Sequence, residues 1–260
     1  MKMKMNSIQQ RLTSVGNIDK QKVARVLAEE GQHENSKMHN EITALIEKNP
    51  DYNPFVLAVI QSLLWAHYAK NDDKFITLVL DYFNYQKDEL LDNLNKFTLL
   101  YDEDSLRKTL KSWKILLDKL LPQLKDNYSP EGLISLQQKL INEAVNLSYS
   151  KQISNLGAWF CCAPFMALAV WKKEYWDDEQ LDSLTLPLGI QVTRAIDWLN
   201  RNGSDFAYTI KTVDEVNLAD GLASTIEAMG AQKELAQLAK TRALHINTGL
   251  WLLGNKKEIS

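Results

Sequence analysis

Two runs leave this chain little freedom in how it folds: Phe55, Leu57, Val59, Ile60, Leu63 and Leu64 in one, Trp159, Phe160, Phe165, Met166, Leu168 and Val170 in the other. At helical spacing each is apolar nearly all round, and a helix without a polar stripe belongs in an interior. The first run follows the breaker Asn49-Pro50-Asp51-Tyr52-Asn53-Pro54 and reads as a central helix. The second, from Leu156 to Trp171, is interrupted by Pro164, which removes one backbone hydrogen bond and predicts a kink. Kinked interior helices often border a pocket; plain core is the simpler reading.

The rest of the pattern is helical too. Ten Gly and six Pro in 260 residues, with apolar residues three and four apart and little alternation, predict an all-α protein. Further helices are expected over 74–85, 88–100, 105–121 and 131–147, the last two punctuated by Pro122 and Ser129-Pro130-Glu131-Gly132. Ile190, Ala195, Ile196 and Leu199 begin another, stopped at Asn202-Gly203, and residues 243–254 make a short terminal helix. Residues 1–50 are polar, with weak periodicity from Ile8 to Leu27 and from Met38 to Lys48, and read as a peripheral helical arm to a 51–260 domain.

Composition narrows the function classes. Cys161 and Cys162 are adjacent, so they frame neither a disulfide scaffold nor a four-ligand zinc site and read as buried thiols in a reducing compartment. The basic start, Met1 to Asn6, has no apolar stretch behind it, and no run approaches the roughly 18 apolar residues of a membrane span. A cytoplasmic monomer with no metal, cofactor or membrane partner is expected. The net charge of −3 argues against a strongly basic nucleic-acid binder, which leaves room for a local patch. No phosphate loop, paired metal-ligand histidines, nucleophile elbow or GxGxxG occurs.

Three places carry candidate chemistry. Between Asp104 and Leu121, Leu106, Leu110, Trp113, Leu117 and Leu120 form one stripe; Arg107, Lys108, Lys111, Lys114 and Lys119 lie opposite, as a solvated face or a track along a phosphate backbone. The acidic segment Glu174 to Ser183 leads into the helix at Ile190, whose free N–H groups suit an anion. Its Asp178 and Asp182 are helix caps or functional carboxylates. His245, near the start of the terminal helix, is a structural hydrogen-bonding residue or a titrating acid or base.

Two segments carry a family resemblance. Leu186, Pro187, Val192 and Arg194 form a Leu-Pro-x-x-x-x-Val-x-Arg pattern that resembles the proline, aspartate, valine and arginine run of archaeal 8-oxoguanine DNA glycosylases, of the helix-hairpin-helix superfamily. Leu244-His245-Ile246-Asn247-Thr248-Gly249-Leu250-Trp251-Leu252 looks like their C-terminal Leu-His-x-Asp-Thr-x-Leu-x-Leu segment. The stretch from Tyr175 to Leu199 also resembles, without a gap, a bacterial family of uncharacterised proteins with the same fold. The likeness runs over residues 55–254 in helix order, with identities concentrated in the two segments.

The resemblance implies a two-lobed helical architecture with a central cleft, in which duplex DNA is gripped, a target base is flipped into the cleft and its glycosidic bond is cut. It also implies a lysine that attacks the sugar and an aspartate at the next helix start. Gapless comparison puts these at Gly157 or Ala158 and at Gly189, so both side chains are missing, with Lys151 about two turns upstream. Hydrolysis without a lysine needs only a carboxylate, for which Asp182 and then Asp178 are the expected residues. Gly189 and Gln191 would mark the helix start near the sugar. Arg194, His245 and Asn247 would organise the cleft, and Lys111 and Lys114 would touch the DNA backbone. Trp159, Trp171, Trp176 and Trp198 surround the region and suggest a wide aromatic pocket for a bulky base. Relatives of this fold act against phages with hydroxymethylated or glucosylated cytosines. A monofunctional DNA glycosylase for such a base, in base excision, repair or antiviral defence, is the expected function; a catalytically silent DNA-binding or interaction protein on the same fold is the alternative.

Overall fold

The structure, a computed structural model, describes residues 7–14, 18–66, 72–98, 102–123, 127–203, 206–208 and 217–255. The basic start at residues 1–6 and the end of the expected 88–100 helix lie outside the described residues. Within them the protein is all-helical: α1 (Ser7–Thr13), α2 (Lys20–Lys48), α3 (Pro54–Trp65), α4 (Asp73–Tyr85), α5 (Glu103–Leu120), α6 (Pro130–Tyr149), α7 (Ala158–Trp171), α8 (Ile190–Asn202), α9 (Leu218–Ala239) and α10 (Ala243–Gly254). Short 3-10 segments cover Asp88–Lys96, Leu121–Gln123, Lys173–Tyr175 and Glu179–Ser183.

Local chemistry sets most of the boundaries. Asp19, Asp72, Asp102, Ser129 and Asn217 each accept a backbone N–H two or three residues ahead, filling one of the orphan donors of a helix start. Asn53 does the same for α3 with Pro54 at its first position, where the missing N–H costs nothing. At the far ends, α4 and α9 stop on Gln86 and Lys240 in the left-handed conformation.

Two hydrophobic cores organise the packing. The larger joins α3 through α7, with the C-terminal half of α2 and the starts of α9 and α10. Its centre is the α3–α7 contact, where Phe55 lies 5.5 Å from Phe165 and 6.3 Å from Trp113, ring centre to ring centre. Cys161 and Cys162 are fully buried there, and burial pushes the Cys161 thiol up to about 12. The smaller core gathers α1, the N-terminal half of α2, α8 and the far ends of α9 and α10.

The segment expected as an outer arm behaves differently from that expectation. Its two weakly periodic stretches are α1 and one continuous helix, α2, which packs against α10, α7 and α9. Val23, Ala24, Leu27 and Ile42 are fully buried. A long helix that supplies one core with its first half and another with its second presents two apolar faces in succession, so no single stripe runs its length. A second difference is α9, which has no counterpart among the expected helices. The expected 88–100 helix is a 3-10 segment as far as Lys96.

Among the described residues no helix is long and apolar enough to cross a membrane.

Candidate functional site

Between the two cores lies a cavity of about 320 Å³. Four helices bring one face each to it by ordinary helical spacing. From α2 come Glu34, Met38 and Glu41, from α7 Trp159, Ala163 and Met166, both at intervals of four and three. The end of α3 contributes Gln61, Leu64 and Trp65, and α10 contributes Asn247, Thr248 and Trp251. Pro187 and Val192 close the side formed by the approach to α8.

The polar groups are held in defined states. Trp65 Nε1 donates to Glu41 Oε2 at 2.8 Å, fixing the indole against the carboxylate. Glu34, its side chain 20% exposed, accepts from Lys37 on the outer side of α2. Asn247 Nδ2 donates to the Pro187 carbonyl at 3.1 Å and to Gln232 Oε1 at 3.3 Å, which leaves Asn247 Oδ1 as an acceptor. Gln61 is 4% exposed, yet its amide makes no hydrogen bond within the described residues. Gln61 is not among the enclosed groups left without a partner, which among the described residues are Thr43 Oγ1, Trp113 Nε1 and Gln232 Nε2; it borders the open space of the cavity. Among the described residues no lysine, arginine or histidine lines the cavity.

Behind the α10 wall is a second polar cluster. Thr248 Oγ1 lies 2.7 Å from Asn35 Oδ1 and 3.2 Å from the Leu244 carbonyl, and Asn35 Nδ2 lies 2.9 Å from His245 Nδ1, so the imidazole is hydrogen-bonded across the two helices. Burial lowers the pKa of His245, opposed by Asp177 and Asp182, with Arg242 adding to the lowering. Its ring meets Trp176 edge-on at 5.4 Å.

The residues expected from sequence divide around this geometry. Trp159 and Asn247 line the cavity, and Gly189 is the N-cap of α8 beside it, where a Cβ would lie 3.2 Å from the Trp159 ring. A side chain at the position expected to hold an aspartate would have to displace the Trp159 indole by a few tenths of an ångström. Gln191 sits next to Gly189, with Oε1 3.3 Å from that Cβ site. Arg194 is exposed and makes no ion pair among the described residues.

Others are placed elsewhere. Asp182 does not line the cavity; it accepts the Ala243 N–H at 2.8 Å and Arg242 Nη1 at 3.1 Å, capping α10. Asp178 caps the 3-10 segment after it through Gln180 N–H. Lys151, exposed and with a φ of 56°, follows the end of α6. Lys111 is paired with Asp88, and Lys114, expected on the outer face of α5, is 8% exposed and bonded to Asp118 one turn on. Lys114 therefore departs from the expected basic stripe: its side chain is largely buried and its Nζ is paired with Asp118. Of the four expected tryptophans, Trp159 alone reaches the cavity; Trp176 is buried against His245, and Trp171 packs on Tyr128.

Sequence reasoning missed Glu34, Glu41, Gln61, Trp65 and Trp251. The one signal available was the spacing of Glu34, Met38 and Glu41, three residues of mixed character on a single face of a helix otherwise read as peripheral.

Among the described residues no group of three or more His, Cys, Asp or Glu side chains is placed to hold a metal ion. Comparison with protein-family models, with curated proteins and with solved structures gives no match for this chain.

Proposed function

We propose that the cavity receives the flat ring of a base extruded from duplex DNA, and that the protein hydrolyses its N-glycosidic bond to leave an abasic site. The observation that carries this reading is the conjunction of Trp65, Trp159 and Trp251 with Glu34, Gln61 and Asn247 in one cavity beside the start of α8. Tryptophan faces stack on a heteroaromatic ring, and amide and carboxylate groups read its edge. The volume falls at the lower end of the roughly 300–1,000 Å³ of small-molecule pockets, ample for a base. The resemblance at Leu186 to Arg194 supports the same location.

Asp182 is committed to the start of α10, so the role first expected of it passes in this proposal to Glu34. Glu34 lines the cavity, its side chain partly shielded from water and Oε2 held by Lys37, and a fixed negative charge there would stabilise an oxocarbenium-like sugar and accept a proton from attacking water. Arg194, exposed two residues beyond Val192, is the proposed phosphate contact.

Purified protein incubated with duplexes containing glucosylated hydroxymethylcytosine, 8-oxoguanine or N-methylated purines, then treated with alkali, tests it. Strand scission in one substrate, reduced at least a hundredfold by Glu34→Gln, is expected. Intact strands in all three overturn catalysis.

A second reading, binding without cleavage, is favoured by one observation: both carboxylates nearest α8 in sequence, Asp178 and Asp182, are occupied as caps. Salt-dependent binding to modified duplex with no base release, unchanged in Glu34→Gln, distinguishes it.

A further inference from the structure

We infer that the occupant of this cavity carries a positive charge: a cationic heteroaromatic ring, which in DNA means a base N-alkylated on a ring nitrogen. The inference rests on the base-binding reading and adds the charge of the ligand to it. Three observations converge on it. Among the described residues the lining holds two carboxylates, half-buried Glu34 and exposed Glu41, and no cationic side chain. It holds three tryptophans, whose ring faces are the strongest side-chain partners for a cation. Gln61, 4% exposed and without a hydrogen-bond partner among the described residues, borders the same space and offers an amide for a ring edge.

The local ion pairs leave this negative character in place. Lys37 neutralises part of Glu34 from outside the cavity with a side chain that is 56% exposed, so solvent screens it. Glu41 is exposed and accepts from the neutral Trp65 N–H, which orients its carboxylate without cancelling the charge; solvent screens it as it screens Lys37, so half-buried Glu34 is the less screened of the two carboxylates. Asn247 presents an oxygen, because both bonds from its Nδ2 are made elsewhere. A neutral, acceptor-rich base would set its carbonyl oxygens against these oxygens; a cationic, donor-bearing ring meets them with the right sign.

The same charge lowers the demand on catalysis. When the bond between sugar C1′ and the alkylated ring's nitrogen breaks, the electron pair goes to that nitrogen and the base leaves neutral, needing no proton from an acid. Water adds to C1′ and gives its proton to Glu34, producing the abasic hemiacetal. Neither a lysine nucleophile nor an aspartate at position 189 is required, in accord with the residues found there.

The test compares charged and neutral ligands of nearly equal shape. Quenching of tryptophan fluorescence is titrated with 1-methyladenosine against adenosine, and with N-methylquinolinium against quinoline, at neutral pH and fixed ionic strength. Each cation is expected to bind at least tenfold tighter than its neutral partner, and Glu34→Gln/Glu41→Gln should bring the ratio close to one while circular dichroism stays unchanged. Equal affinity within both pairs overturns the charge assignment and leaves base binding standing. Preference for N-methylquinolinium with no binding of either nucleoside supports a cation site and removes the DNA reading. No binding of any of the four overturns the inference.

Discussion

Asn35 is a single polar residue that decides how two helices can meet. It is fully buried, and its amide satisfies both Thr248 and His245 across the α2–α10 contact. Asn35→Ala removes both bonds while leaving the imidazole nitrogen buried, and should cost about 2–4 kcal/mol, measurable by urea denaturation. His245 gives the same cluster a pH dependence. Its folded pKa lies below the ordinary value of about 6.5, so the unfolded chain binds the proton first and stability rises with pH through this window. The stability present above that value is lost as pH falls below it toward the folded pKa. The drop in melting temperature from pH 7 to pH 5 should therefore be smaller in His245→Gln than in the native protein, each referred to its own value at pH 7. From sequence, His245 and Asn247 read alike, as polar residues at a helix start. They differ only in what stands opposite: Asn35 and Trp176 for one, the cavity for the other, and helical spacing carries no record of the facing helix.

At the level of elements, α10 is the piece on which the rest depends. It reaches α2 so closely that a Cβ at Gly249 would run into the Leu27 carbonyl and one at Gly31 into the carbonyl of His245. Backbone cannot yield as a flexible side chain does, so Gly249→Ala should force the helices apart and cost about 1–3 kcal/mol, or more if Asn35 loses its partners, again by urea denaturation. The start of α10 is set by Asp182. Asp182→Ala should lose about 1 kcal/mol of cap energy, whereas Asp182→Asn, which keeps an acceptor oxygen, should lose less. Neither should change the base-release rate more than a few-fold if Glu34 is the working carboxylate. A hundredfold loss in Asp182→Asn, with an unchanged melt, would return the role to Asp182. The strongly patterned helices were legible: α3, α4, α5 and α6 stand within a residue or two of the spans expected, because each has a clear apolar stripe and a capping residue or proline. The helix α9 was not, since Ala, Gly, Ser and Thr supply much of its packing face and carry little hydrophobic contrast.

On the scale of the whole molecule, the two cores are joined by helices that belong to both. Val23 and Leu27 of α2 lie in the smaller core, Met38, Ile42 and Leu45 in the larger, and Glu34 and Glu41 face the space between. That arrangement explains why the cavity was the least legible part of the protein: its walls come from positions far apart in the chain, and both of its charged lining residues among those described, Glu34 and Glu41, come from a segment whose polarity suggested an arm. It also yields a test of domain organisation. Burying a large apolar side chain contributes about 1.5–3 kcal/mol, so the six buried in α2, Val26 with Val23, Leu27, Met38, Ile42 and Leu45, together contribute on the order of 10 kcal/mol. A whole domain has a net stability of about 5–15 kcal/mol. A chain of residues 51–260 should accordingly show helical circular dichroism without a cooperative melt and should bind the dye that marks exposed apolar surface. Supplying residues 18–50 as a separate peptide should restore part of the transition. If residues 51–260 instead melt cooperatively within a few degrees of the full chain, α2 is an accessory to the fold, and the carboxylates of the cavity must be sought on another helix.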